Sequence, residues 1–105
     1  MAHHREQDYQ SLMLHTAAVD LMRQDAQLIE RAQAILDRWL QAAVVHSAPL
    51  LKEWQRILLE RDWALALSNS ERGNQLRQAS PVSCILPNKL RLEIIQSCKK
   101  ANLSI

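Results

Sequence analysis

The chain has 105 residues, a formal net charge of +2, and 48% apolar against 23% charged side chains. That length supports one hydrophobic core, the balance excludes a disordered or fibrous chain, and so small a charge excludes a strongly basic nucleic-acid binder. Phenylalanine is absent and glycine occurs once, whereas the abundant Leu, Ala, Gln, Arg and Glu are the residues that lose least on entering a helix. The expectation is an all-α fold: a small bundle of four or five helices in a single domain over 1–105, with residues 1–6 frayed.

Residues 5–46 contain neither Gly nor Pro. Steps of four and three from Leu14 reach Ala18, Leu21, Asp25, Leu28, Ala32, Ile35, Trp39, Ala42 and His46, a heptad-like seam. A second stripe, Met22, Ile29, Leu36 and Leu40, widens the apolar face to that of a helix with several neighbours. Asp25 is a legitimate N-cap, so the reading is a first helix near 7–22 and a longer one near 25–46. The alternative is one unbroken helix, which would reach about 60 Å and need a second chain beside it.

Pro49 closes this long N-terminal segment and suits the first turn of the next helix, with Ser47 as its cap. That third helix is read through "LLKEWQRILLERDWALALSN". Leu51, Trp54, Leu58 and Leu65 share one face and Leu59, Trp63 and Leu67 another, so it is the expected central, most buried element. Ser68 and Glu71 have capping-box spacing and predict a short fourth helix to about Ala79, with Gly73 in its first turn. "SPVSCILP" is read as an extended, Pro-bounded connector whose Val82, Ile85 and Leu86 lie against the core. The last helix, 88–101, places Leu90, Ile94, Cys98 and Ala101 on one stripe and Lys89, Arg91, Glu93, Lys99 and Lys100 mostly outward.

Few residues converge on chemistry. His3 and His4 sit at the terminus, His15 is read on a polar flank of the first helix and His46 at a helix end. No His/Glu pair at i, i+4 supports a metal site. Cys84 and Cys98 are fourteen apart without a CxxC, which predicts two free thiols. Gly73 stands in neither a P-loop nor a dinucleotide motif. The expectation is therefore no enzyme, no metal and no cofactor. No apolar run approaches the roughly 18 residues of a membrane span and the start "MAHHREQDYQ" is polar, which predicts a cytoplasmic protein without membrane contact.

What remains is binding. Three tryptophans at apolar helical positions, on stripes wider than a small bundle must hide, are the usual material of a protein interface. The preferred reading is a non-catalytic protein-binding module (adaptor, assembly factor or stoichiometric inhibitor) that self-associates, as a homodimer, or docks another protein. Leu28, Ile35, Trp39, Trp54 and Leu58 would supply its apolar contact, with Arg72 and Arg77 as a polar rim beside Asn74 and Gln75. The alternative rests on charge. Residues 1–46 carry four Arg against six carboxylates, net −2, and residues 47–105 nine cations against five, net +4. A small nucleic-acid-binding regulator would use Arg72, Arg77, Lys89, Arg91, Lys99 and Lys100 on backbone phosphates. The only pair of helices suited to a helix-turn-helix, joined at "LSNS", lacks the usual turn glycine.

Overall fold

The computed structural model describes residues 2–42 and 48–103, and the side chains of 7–42 and 48–100. These residues are helical or in turns, with no strand among them. In chain order they form α1 (Ala2–Gln24), α2 (Ala26–Ala42), α3 (Ala48–Glu60), α4 (Trp63–Ala66), α5 (Glu71–Gln78), a 3₁₀ turn (Val82–Ile85) and α6 (Asn88–Leu103). The expected first helix begins earlier than read, at Ala2. Ser47 and His46 lie outside the described residues.

The N-terminal segment is two helices, and Asp25 is where it divides. Its N–H closes α1 on the Leu21 carbonyl at 3.0 Å, while its Oδ1 accepts from the Gln27 N–H at 3.0 Å and so satisfies one of the orphan donors that open α2. The longest dimension of the molecule is 42 Å; an unbroken helix over both segments would exceed it by about 20 Å.

The third predicted helix is shorter than expected and ends at Glu60. Arg61 adopts a left-handed backbone (φ 60°), and the Asp62 N–H returns to the Ile57 carbonyl at 3.0 Å, a Schellman-type closure with arginine where glycine is usual. The Arg61 guanidinium caps the Leu58 and Leu59 carbonyls. Asp62 then caps α4 by accepting from the Leu65 N–H at 3.3 Å. Arg56 ties the corner, meeting Glu53 at 3.0 Å, Glu60 at 3.3 Å and Asp62 at 2.9 Å. Hydrogen bonding to Arg56 holds the Glu53 and Asp62 carboxyls below their ordinary range.

Packing explains the break. Trp63 lies nine residues after Trp54, two and a half turns, so on a continuous helix it would face away from the side that buries Trp54. The corner turns Trp63 and Ala66 inward, to 8% and 0% exposure, and leaves Leu59 on the surface at 72%. With Lys52, Gln55 and Glu60 also exposed, α3 is not the wholly buried element expected. α1 is the more central strut, packed against α2, α5, the 3₁₀ turn and α6.

The cap of α5 is Ser70, not Ser68. The Ser70 Oγ accepts from the Gly73 N–H at 3.0 Å, while the Ser68 carbonyl is taken by Arg77. Gly73 has a steric reason to be glycine. A Cβ there would sit 2.2 Å from the Ser68 carbonyl oxygen, a backbone atom also held by Arg77. Alanine improves helix propensity by about 1 kcal/mol, but overpacking against backbone outweighs it. Gly73→Ala should lose about 2 kcal/mol of unfolding free energy in urea; an unchanged or higher midpoint would show that the α4–α5 link yields.

The Pro-bounded connector is wound, not extended. Pro81 has helical dihedrals (φ −77°, ψ −14°) that start a 3₁₀ turn, and the Ser80 Oγ accepts from the Val82 N–H at 2.9 Å. Leu86, before Pro87, is extended as expected (ψ 133°). Val82, Ile85 and Leu86 are buried as expected. Arg91 of α6 donates back to the Ser83 carbonyl and pins the last helix to this turn.

Candidate functional site

Two buried polar side chains organise the centre. Trp54 of α3 is fully enclosed, donates its indole N–H to the Leu76 carbonyl at 2.7 Å, and stacks on His15 at 6.1 Å between ring centroids. His15 is 2% exposed, not on the polar flank expected. Its Nδ1 lies 2.7 Å from the Ser11 carbonyl, which assigns the proton to Nδ1, and its buried Nε2 meets no protein donor. Burial, with the Arg77 charge adding to it, lowers the imidazole pKa to about 4 despite the bond to Ser11. Arg77 is 4% exposed and donates to the Ala66 and Ser68 carbonyls at 2.9 Å each and to the Asn74 side chain. It satisfies carbonyls at the end of α4 that the helix leaves unpaired.

Three residues expected at an interface are therefore inside the fold. Trp54 and Leu58 are 0% exposed because their stripe packs against α2 and α5, and Arg77 is held by carbonyls. Leu28 and Ile35 are half-buried, while Trp39 and Arg72 reach solvent. Trp39 is 37% exposed and shares a margin of α2 with Leu28 and Ile35, at spacings of four and seven. The basic set does not form a stripe either. Arg77 is buried, Arg91 is tied to Ser83, and Lys89 and Arg91, two residues apart on α6, point to nearly opposite sides of it. Lys89, Lys99 and Lys100 are exposed.

A groove of about 610 Å³ runs between α1 and α6. From α1 it takes Tyr9, Met13, Thr16, Ala17, Asp20 and Arg23, spaced by three and four, a stripe beside the one that buries His15, Ala18 and Met22. α6 contributes Leu90, Glu93, Ile94, Ser97 and Cys98 at the same spacings, and Leu67 lies against the floor. The stripe from Tyr9 to Arg23 is about 21 Å long at 1.5 Å per residue. Tyr9 stands half-exposed at the margin and the Cys98 thiol is buried below. Asp20, Arg23 and Glu93 are exposed on the rim, and none of them makes an ion pair among the described residues.

The α6 wall is built on the stripe expected from Leu90, Ile94 and Cys98, with Glu93 beside it, whereas the sequence pattern gives no such expectation for the α1 wall. Its signal was present in the 3–4 spacing of Tyr9, Met13, Ala17 and Asp20, but mixed polarity hid it. His15, whose pKa burial lowers, does not line the groove. The groove offers apolar contact, charges of both signs and one thiol. No described helix is long and apolar enough to cross a membrane. No protein-family model, curated protein or solved structure matches this chain.

Proposed function

We propose that this chain is a non-catalytic protein-binding module, an adaptor, assembly factor or stoichiometric inhibitor, whose docking surface is the α1–α6 groove. The observation that carries the reading is the pair of stripes at helical spacing, apolar below and charged at the rim, facing one another across about 610 Å³. Such a trough takes an amphipathic helix of a protein partner through anchors at i, i+3/i+4 and i+7. This moves the binding surface from the α2–α3 residues expected at first to Met13, Ala17, Leu90 and Ile94.

A photo-crosslinking residue placed at Thr16 or Ser97, both exposed in the groove, should form protein adducts in cells that resist nuclease. The same residue at Lys52, exposed on α3, should not. The paired substitution Thr16→Arg with Ser97→Arg should abolish adducts from a probe at Asp20 while changing stability by no more than about 0.5 kcal/mol. Equal adducts from Thr16 and Lys52 would overturn the reading, and adducts lost to nuclease would favour the regulator.

A further inference from the structure

Resting on that reading, we infer that the protein filling the groove is a second copy of this chain, related by a two-fold axis that lays the α1–α6 face of one protomer on that of its partner. The apolar strip is the first argument. Met13, Ala17, Leu67, Leu90 and Ile94 line an open groove whose α1 stripe runs about 21 Å, and exposed apolar surface rimmed by charge marks a protein contact.

Charge is the second. A two-fold contact must be self-complementary, because the same patch serves both sides. The groove rim carries Asp20 and Glu93 together with Arg23, none of them ion-paired among the described residues. An apolar strip bordered by both signs meets a copy of itself with Arg23 opposite carboxylates, whereas a rim of one sign would repel its copy. The third argument is shape. Thr16, Ala17 and Ser97 are small side chains on the two walls, so helices of two protomers can approach to the 8–10 Å of ordinary helix packing.

Light scattering at about 50 µM tests this directly. The wild-type mass should be about twice 12.1 kDa. Arg23→Glu makes the rim wholly acidic, and Asp20→Lys with Glu93→Lys makes it wholly basic, all at exposed positions. Each variant alone should dimerise at least about tenfold more weakly, and an equimolar mixture should restore dimer as the mixed species. A wild-type monomer, or variants that dimerise as wild type with no preference for the mixture, would overturn the inference. If the wild type is monomeric while Thr16 crosslinks a different protein, the second copy is wrong and the docking surface stands; if Thr16 crosslinks nothing, both fall.

Discussion

Trp54→Ala should lower the unfolding free energy by about 4–5 kcal/mol, a large share of the roughly 5–15 kcal/mol that holds an ordinary domain folded. The indole is 0% exposed, so its removal leaves a cavity lined by side chains from several elements. Its N–H donates to the Leu76 carbonyl at 2.7 Å, and losing that donor strands a buried acceptor near the end of α5. The ring also covers His15. Trp39→Ala is the internal comparison. At 37% exposure on the margin of α2, that side chain should cost no more than about 1.5 kcal/mol. Urea unfolding of both variants checks the contrast; similar losses would mean that Trp54 is not the keystone its burial indicates.

Acidification is expected to destabilise the fold through His15. The imidazole is neutral in the folded chain down to about pH 4, but in the unfolded chain it takes a proton below its ordinary 6.5. Unfolding therefore absorbs a proton between these values, so stability is complete above pH 6.5, falls toward pH 4, and is unaffected by this group below that. The gap corresponds to about 3 kcal/mol. Glu53 and Asp62, held low by Arg56, lose their contribution at still lower pH, as protonation breaks the α3–α4 corner. His15→Phe retains a ring against Trp54 and removes the titration. Urea midpoints from pH 7 to 4.5 should slope steeply for wild type and stay nearly level for the variant; parallel slopes would place the sensitivity elsewhere.

His15 and Trp54 make one point about the relation of sequence to fold. Neither looks exceptional along the chain, and their partnership joins α1 to α3 across 39 positions. The polar core is completed by Arg77, which sits on the same short helix as Arg72. Arg72 is solvated, whereas Arg77 is enclosed because the ends of α4 and α5 bring the Ala66 and Ser68 carbonyls to it. Spacing alone does not separate two such arginines.

Sequence by itself determined the helical class, the helix that follows the "LSNS" joint and the burial of Val82, Ile85 and Leu86, and it offered Asp25 as the place where the N-terminal segment can divide. These follow from propensity, capping and periodicity, which act over one or two turns and are written in neighbouring residues. Tertiary structure decided the rest. The corner at Arg61 has no glycine to announce it and exists because Trp63 must turn inward. The three tryptophans share one local pattern yet end at 0%, 8% and 37% exposure, since only the packing of distant elements selects which apolar stripe is covered. The groove is the fullest case: its walls lie on the first and last helices, and the pairing of Met13 and Ala17 with Leu90 and Ile94 is made by the path of the chain between them.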